Sequence, residues 1–434
     1  MWLTTPDRAV FFEKQKVSLL FSSATNANTT INVDSTTQYQ SIDGFGFALT
    51  GGSASLINKL PAGQKADLLK DLFAADSTYI GISYLRISIG ASDMSASDFT
   101  YDDVSGTDVN LDNFSIDVEK TDLIPVLKQI ITINPTIKIV ASPWTAPAWM
   151  KTNNNFSQGS LKPEYYDAYA RYFVKYIQAM KAQGITIDAI TPQNEPLNAN
   201  NNPSMVMQPV EQENFIKNNL GPQFQTAGLT TKIIVYDHNA DRTDYPLTIL
   251  ADPQASQYVD GSAFHLYQGQ ISALGPVHNA YPTKNLYFTE QYTASTGSFS
   301  GDLSWHINNL IIGATRNWCR NVIEWNLASD PSFGPHTNGG CTTCQGAITI
   351  SPSVSRNVSY YIIAHASKFV RPGAVRIASD NQSSLPNVAF KNTDGSKVLI
   401  VLNAGNASQT FNIRFNSKMV TSTLGSGAVA TYKW

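Results

Sequence analysis

"AITPQNEPLN" occupies residues 189–198, where a short apolar run gives way to an amide, a glutamate and a proline in succession. Because Asn and Pro are common in turns, one interpretation of this stretch is a simple turn. The alternative is a buried strand that delivers Glu195 to a cleft. The pattern of the whole chain is needed to decide between the two.

Short apolar, β-branched or aromatic runs of this kind recur along the chain, and there are eight of them. They occupy residues 44–49, 84–90, 137–144, 189–196, 232–239, 261–267, 285–292 and 321–329. Most are separated by segments with helical periodicity, such as the one between Pro163 and Gly184. Strands that alternate with helices of this length indicate parallel β-α units. Eight such units predict a closed (β/α)₈ barrel over residues 41–365.

The two ends of the chain follow a different pattern. After about residue 370, short strands succeed one another without helices between them, which favours an antiparallel sandwich. Strand-like pieces also precede the barrel. We therefore predict an α/β protein in which residues 1–40 and 366–434 form one discontinuous β-sandwich domain beside the barrel of residues 41–365.

The charge balance and hydropathy exclude several classes of function. The 434 residues include 30 basic and 33 acidic side chains, for a net charge of -3, so we expect no nucleic-acid partner. Charged residues make up only 15% of the chain, against about 25% in an average soluble protein. No apolar run reaches the ~18 residues of a membrane helix. We expect a monomer without a membrane span.

The first residues, "MWLTTPDRAVFFEKQ", lack the basic start and apolar stretch of a signal peptide. They fit either a cytoplasmic protein or the mature form of an exported protein with an added Met. The surface rich in Asn, Ser and Thr favours the second alternative. We expect a secreted or periplasmic protein whose signal peptide has been removed.

Three cysteines leave two alternatives open. Their odd number excludes a full disulfide framework, but a bridge between Cys341 and Cys344 with a free Cys319 is one option. A zinc site is the other, and it needs two further ligands at suitable spacing, whereas only His336 lies near. We expect neither a metal nor a cofactor.

The candidate functional residues stand where the apolar runs end, because barrels of this type carry their active sites at the carboxyl ends of the strands. They are Arg86, Asp93, Trp144, Asn194, Glu195, His265, Tyr267, Glu290 and Trp325. Two glutamates among tryptophans and tyrosines are typical of a sugar cleft, in which rings stack on pyranose faces while carboxylates and amides bind hydroxyls.

Glycoside hydrolysis requires one carboxylic acid that protonates the leaving oxygen and one carboxylate that attacks C1 or activates water. The acid needs a raised pKa, whereas the carboxylate must stay ionised. Glu195 and Glu290 are the candidates, ~5–5.5 Å apart if the enzyme retains configuration. Glu324 is a weaker candidate, since strand alternation turns it outward if Trp325 faces the mouth.

Four candidate side chains have structural alternatives. Arg86 either balances a buried acid or keeps Glu290 ionised. His265 either contacts the ligand or belongs to the scaffold, and His238 has the same two alternatives. Trp149 either packs beneath a loop or lines a subsite.

Seven stretches of the chain together resemble glycoside hydrolase family 30, the glucosylceramidase-like retaining β-glycosidases. They are "QSIDGFGFALTGGSA", "YLRISIGASDMS", "ASPWTAPAWMKTN", "TPQNEP", "FHLY", "LYFTEQY" and "EWNLASDP", and the resemblance runs from about residue 38 to the end. It implies a (β/α)₈ barrel with a side sandwich, Glu195 as acid/base and Glu290 as nucleophile. It further implies sugar-binding roles for Arg86, Asp93, Trp144, Asn194, Tyr267 and Trp325, with His265 close by.

The tract "DPSFGPHTNGGCTTCQGAITI" is more similar to members that cleave β-1,6-glucan than to lysosomal glucosylceramidases. We therefore expect an endo-β-1,6-glucanase acting by double displacement on a β-glucan or other β-glycoside. The alternatives within the family are a β-glucosidase or glucosylceramidase and a β-xylosidase or xylanase. Outside the family, a non-catalytic carbohydrate-binding protein predicts loss of one carboxylate, and a metal-dependent hydrolase predicts His/Asp clusters at the strand ends.

Overall fold

A computed structural model describes all 434 residues. The strands, in chain order, are β1 (Trp2–Thr4), β2 (Glu13–Lys14), β3 (Thr29–Ser41), β4 (Gly44–Ala48), β5 (Tyr84–Ser88), β6 (Lys138–Ser142), β7 (Ala189–Ile190), β8 (Lys232–Asn239), β9 (Val259–His265), β10 (Asn285–Glu290), β11 (Thr293–Ala294), β12 (Cys319–Asn326), β13 (Ala328–Ser329), β14 (Cys344–Gln345), β15 (Ile348–Ser351), β16 (Ser353–Arg356), β17 (Val375–Ser379), β18 (Asn387–Lys391), β19 (Lys397–Leu402), β20 (Gln409–Phe415), β21 (Lys418–Leu424) and β22 (Val429–Lys433).

The helices lie mostly between the strands of the central part of the chain. They are α1 (Gly51–Asn58), α2 (Ala62–Phe73), α3 (Leu123–Ile133), α4 (Tyr166–Ala182), α5 (Pro209–Phe215), α6 (Gly221–Thr226), α7 (Asp244–Ala251), α8 (Pro253–Ser256), α9 (Leu274–Ala280), α10 (Phe299–His306) and α11 (Val358–Ser367). Short 3₁₀ helices and two π-helical segments, Ile216–Leu220 and Ile307–Ala314, complete the set. None of the helices combines the length and the hydrophobicity needed to cross a membrane.

The eight predicted strands close into a parallel barrel in the order β10-β12-β4-β5-β6-β7-β8-β9. This confirms the predicted fold class. The strand predicted over 189–196 is much shorter in the structure, where it covers only Ala189–Ile190. Pro192 and Pro196 have no N–H to donate to a neighbouring strand, so the residues between them leave the sheet and enter the barrel mouth.

One level of the barrel interior is filled by apolar side chains. Seven strands supply one residue each, namely Tyr84, Val140, Ala189, Ile234, Ala263, Tyr287 and Ile323. On β4 the register partner of Tyr84 is Gly46, where a Cβ would lie 1.9 Å from the Tyr84 carbonyl oxygen. This layer forms the floor on which the next layer rests.

Two residues further along the same strands, the inward-facing side chains are polar or aromatic. They are Arg86, Ser142, Thr191, His265, Thr289 and Trp325, and all are buried. On β8 simple alternation would place Tyr236 in this layer, but the pairing of β8 with β9 shifts register between Tyr236 and His238. Tyr236 and Asp237 both take positive φ angles, 75° and 65°. Asp237 joins the polar layer as a result.

Nine of the remaining strands form a sandwich whose longest strand, β3, connects its two layers. The strands β11, β13, β14, β15 and β16 form two small separate sheets. Residues 33–41 of β3 pair with β17, whereas residues 29–32 pair with β20. A separate cluster of 14 buried apolar residues fills the space between the layers. Arg316 of the barrel side donates to the Asn387 carbonyl at 2.6 Å and so anchors the sandwich. The boundaries 1–40, 41–365 and 366–434 stay a prediction, and α11 extends across the second of them.

Candidate active site

A cavity of about 610 Å³ opens at the carboxyl ends of the barrel strands. This volume lies within the range of about 300–1,000 Å³ that is usual for small-molecule sites. Its lining is mainly polar and includes Asp93, Glu195, His238, Asn239, Tyr267, Glu290, Tyr292 and Trp325. Predicted site residues at the ends of five different strands therefore line one cavity.

Glu290 ends strand β10, and both of its carboxylate oxygens are hydrogen-bonded. Arg86 donates Nη1–H to Oε2 at 2.5 Å, and the Tyr267 hydroxyl donates to Oε1 at 2.9 Å. Arg86 is completely buried and also donates to the Asn194 side chain at 2.7 Å. The guanidinium lies 4.9 Å from the Trp144 ring centroid and 5.7 Å from that of Trp325. The arrangement fixes one orientation of the Glu290 carboxylate.

Glu195 lies five residues past the ladder of β7, with a φ of 44° that is uncommon for a residue with a side chain. Its Oε1 is 3.1 Å from Nδ1 of His265 and 4.0 Å from Nε2 of His238. Asn198 donates to its Oε2 at 2.7 Å. The side chain is buried apart from the part that reaches the cavity. Glu195 therefore faces imidazole rings, whereas Glu290 faces a guanidinium.

Glu195 and Glu290 approach each other closely across the barrel mouth. One oxygen of each carboxylate and a ring nitrogen of His265 all lie within 4.8 Å of one another. Two carboxylates at such a separation cannot both hold a full charge without a nearby cation. Arg86 and His265 supply that compensation.

The protonation state of this cluster follows from its contacts. Burial raises the pKa of Glu195, but the hydrogen bond and charge of His265 outweigh burial and bring it to about 2. Burial lowers the pKa of His265, but Glu290, Asp237 and Glu195 raise it to about 9. Burial raises the pKa of Glu290, with His265 and Arg86 opposing the change. The contacts of the free site thus lower the pKa of Glu195 and raise that of His265, the reverse of the raised pKa expected for the acid.

Asp237 lies beneath the two glutamates and is inaccessible to solvent. Its Oδ2 accepts from Arg86 and its Oδ1 is 3.1 Å from Nε2 of His265. Three hydroxyls complete its shell, those of Ser142, Thr191 and Thr289 at 3.0, 2.7 and 2.6 Å. Among the residues of "KIIVYDHN", His238 was the candidate considered from the sequence, and no signal in the sequence revealed the bulge that turns Asp237 inward.

Asp93, Trp144 and Trp325 form one wall of the site. The two indole rings are 5.3 Å apart, and Trp144 Nε1 has no hydrogen-bond partner within the protein. Burial, together with Glu290 and Glu195, raises the pKa of Asp93 to about 7. Its Oδ1 is also without a partner. Of the two residues with an unpaired polar atom, Asp93 lines the cavity.

A disulfide between Cys341 and Cys344 lies in the same wall, and both residues line the cavity. Cys344 packs in one apolar cluster with Trp144 and Trp325. Because the two sulfur atoms are bonded to each other, they cannot be zinc ligands, and the zinc interpretation of this pair is wrong. Cys319 is free and buried.

Two of the weaker candidates lie away from the cavity. Glu324 points outward, where His306 Nδ1 contacts its Oε1 at 2.7 Å. Trp149 donates its Nε1–H to Asp102 at 3.1 Å and packs edge-on against Tyr165. His238, in contrast, lines the cavity.

The Glu195, His265 and Glu290 donor atoms are close enough to surround a cation. However, Glu290 already holds Arg86, and His265 has a carboxylate oxygen at each ring nitrogen. A divalent ion here would meet the fixed positive charge of Arg86 at short range. The arrangement suits a protonated imidazole better than a metal ligand.

Family models match nearly the whole chain. The model of the glycosyl hydrolase family 30 TIM-barrel domain matches residues 42–370, and that of the family 30 beta sandwich domain matches residues 373–432. The chain belongs to glycoside hydrolase family 30. The family 30 assignment makes the protein a glycoside hydrolase and confirms the predicted resemblance.

Named relatives of this family 30 chain include glucanases and glucosylceramidase-like proteins. An endo-1,6-beta-D-glucanase of Trichoderma harzianum is 36% identical over 401 residues, which is 87% of this chain and 80% of the relative. A putative glucosylceramidase of Caenorhabditis elegans is 30% identical over 416 residues, covering 89% of this chain and 79% of the relative. A solved endo-beta1,6-glucanase structure superposes with a TM-score of 0.93 at 39% identity, covering 100% of this chain and 98% of that one.

Proposed function

We propose that the protein is a secreted or periplasmic endo-β-1,6-glucanase that retains anomeric configuration, with Glu290 as nucleophile and Glu195 as acid/base. The observation that carries the mechanism is the approach of the two carboxylates, with oxygens within 4.8 Å of one another. Retaining enzymes place these groups about 5–5.5 Å apart, whereas inverting enzymes leave about 6.5–9.5 Å for a water. The distance supports double displacement.

Glu290 is the nucleophile in this proposal because its two oxygens receive charge-assisted and hydroxyl hydrogen bonds. Arg86 and Tyr267 orient the carboxylate and keep it ionised. One Glu290 oxygen attacks C1 of the sugar while the bond from C1 to the glycosidic oxygen breaks. The product of this step is a covalent glycosyl ester of Glu290 and a protonated leaving group.

The leaving oxygen receives its proton from Glu195, which shares that proton with His265. In the free site the charged pair of Glu195 carboxylate and His265 imidazolium predominates. Substrate that covers the cavity excludes water, and loss of water favours the neutral pair, in which Glu195 holds the proton. Glu195 then removes a proton from water, whose oxygen attacks C1 and releases Glu290.

The sugar on the non-reducing side of the broken bond would lie against the wall formed by Trp144, Trp325 and Asp93. An indole face packs on pyranose C–H groups, and the unpaired Asp93 Oδ1 and Trp144 Nε1 bind hydroxyls. Asn194, held by Arg86, would bind the 2-hydroxyl. Two buried polar atoms that lack a partner within the protein would then acquire one.

The assignment of β-1,6-glucan as substrate draws on the glucanases among the relatives. The fungal enzyme at 36% identity and the solved structure with a TM-score of 0.93 both carry the name endo-1,6-β-glucanase. The glucosylceramidase-like relative is less similar, at 30% identity. Glucosylceramidase or β-glucosidase activity is the second candidate.

A glycan panel tests this proposal. Pustulan (a β-1,6-glucan), laminarin, xylan, glucosylceramide and aryl β-glucosides are incubated with the wild-type enzyme and with Glu290→Gln. We expect the wild type to degrade pustulan to a ladder of oligosaccharides, and the variant to lose at least about 10³-fold in kcat. Release of glucose alone, preference for another glycan, or normal turnover by Glu290→Gln would contradict the corresponding part of the proposal.

A further inference from the structure

We propose that Asp237 is the positioning residue for both catalytic carboxylates: it holds Arg86 against Glu290 and His265 against Glu195. This inference rests on the proposed function, because it takes the roles of the two glutamates from there. Asp237 itself does not line the cavity and has no exposed surface, so it acts only through its neighbours.

The shell around Asp237 satisfies its carboxylate completely. Five donors approach its two oxygens, of which three contact Oδ2 and two contact Oδ1. Those on Oδ2 are Arg86 Nη2 at 2.7 Å, Thr191 Oγ1 at 2.7 Å and Ser142 Oγ at 3.0 Å, and those on Oδ1 are Thr289 Oγ1 at 2.6 Å and His265 Nε2 at 3.1 Å. Its backbone carbonyl also accepts the Glu195 N–H at 2.9 Å. Asp237 thus fixes the Glu195 main chain as well.

Both cationic partners of Asp237 are shared with a catalytic glutamate. Arg86 contacts Asp237 with Nη2 and Glu290 with Nη1. His265 contacts Asp237 with Nε2 and Glu195 with Nδ1. Each cation therefore divides its charge between a buried, permanently ionised anion and a reacting carboxylate.

The backbone of β8 is strained where it carries this carboxylate. Two consecutive residues of β8, Tyr236 and Asp237, have positive φ angles, a backbone conformation that is strained for residues with bulky side chains. Regular alternation would bury Tyr236 beside the glutamates. The bulge puts an anion there instead, which accords with a functional use of the strain.

Replacing Asp237 by Asn should change the charge while keeping the shape of the side chain. The titratable and charged groups near this position are Arg86 on β5, Glu195 after β7, His238 on β8, His265 on β9 and Glu290 on β10. Without the negative charge of Asp237, the positive charge of Arg86 stabilises only the Glu290 carboxylate, so the pKa of Glu290 falls. His265 loses one of its anionic neighbours, so its pKa falls as well.

We therefore expect the bell-shaped pH profile of kcat/KM for Asp237→Asn to move to lower pH on both limbs, each by about one unit. The maximum of kcat should fall about 10- to 100-fold, whereas KM should change little because no substrate contact is lost. The assay is hydrolysis of a nitrophenyl β-glucoside and of pustulan between pH 3 and pH 10, with circular dichroism to confirm folding.

Thr289→Val is the matched variant. Its basic limb should shift in the opposite direction to that of Asp237→Asn. It removes one hydroxyl from Asp237 Oδ1 and leaves His265 as the only donor there, so the basic limb should move to higher pH. Limbs of Asp237→Asn that superimpose on those of the wild type would overturn the inference. If Asp237→Asn does not fold, the inference is overturned by a Thr289→Val variant whose basic limb lies at the same pH as that of the wild type.

Failure of the proposed function appears differently in these experiments. A wild type without glycosidase activity, or an active Glu290→Gln, refutes the roles of the glutamates. An active wild type with inactive Glu290→Gln, combined with unmoved limbs in Asp237→Asn, refutes only the role of Asp237.

Discussion

Removal of the Tyr267 hydroxyl perturbs the proposed nucleophile, Glu290, through a single contact. Tyr267→Phe deletes a single hydrogen bond, the one of 2.9 Å to Glu290 Oε1, and leaves the ring and its backbone bond to Asn239 in place. A hydrogen bond to a charged group is worth about 1.5–3 kcal/mol. If the bond acts in the transition state, the loss corresponds to a decrease of about 10- to 150-fold in kcat/KM.

The same change should shift the acid limb of the pH profile. Burial already raises the pKa of Glu290, and removal of the tyrosine donor destabilises the carboxylate further. Since Glu290 must be ionised to attack, activity should be lost at a higher pH in the variant than in the wild type as the pH falls.

Tyr292→Phe provides the control for this experiment. Tyr292 lines the same cavity, its ring lies 5.4 Å from that of Tyr267, and its hydroxyl makes no hydrogen bond within the protein. We expect the acid limb of this control to superimpose on that of the wild type, because its hydroxyl makes no hydrogen bond to Glu290. Tyr267→Phe with the kcat/KM and the acid limb of the wild type would refute the assignment of its hydroxyl to Glu290.

Two further predictions concern metal dependence and the outward-facing glutamate. Dialysis against EDTA should leave kcat and the melting temperature unchanged, because Arg86 and His265 supply the positive charge of the site; a loss restored by one divalent ion would contradict this. Glu324→Gln should lower Tm by a few degrees, since it weakens the buried contact with His306 at 2.7 Å. Its kcat/KM should stay within about twofold of the wild type, and a loss comparable to that of Glu290→Gln would show a catalytic role.

The barrel and its glutamates could be predicted because they depend on local patterns. Eight apolar runs separated by helical segments specify parallel strands, and a polar residue at the end of such a run reaches the mouth regardless of finer detail. Glu195 and Glu290 belong to this class. Alternation also predicted that Glu324 would face away from Trp325, and the contact with His306 agrees.

Asp237 could not be predicted because its orientation depends on a bulge. The register shift between Tyr236 and His238 changes which side chains of β8 face the barrel interior. The positive φ angles of this bulge fall on Tyr236 and Asp237 rather than on a glycine, so the sequence carries no mark of it. The protonation of Glu195 was predicted incorrectly for a related reason. A pKa in this cluster depends on which groups surround His265, and that requires three separate strand ends to be placed together.

The disulfide wall likewise depends on long-range packing. The spacing of Cys341 and Cys344 allows a bridge, but only the folded loop places it against Trp144, Trp325 and the cavity. Such loops at barrel mouths vary independently of the strands that carry them, so strand patterns contain no information about them.

Proton NMR of the first sugar released from pustulan tests the central claim most directly. One oxygen of each carboxylate lies within 4.8 Å of the other, which is nearer to the separation in retaining enzymes (about 5–5.5 Å) than in inverting ones (about 6.5–9.5 Å). If the reaction is a double displacement, the β anomer forms first and the α anomer appears only later, by mutarotation. Initial formation of the α anomer would contradict double displacement through Glu290.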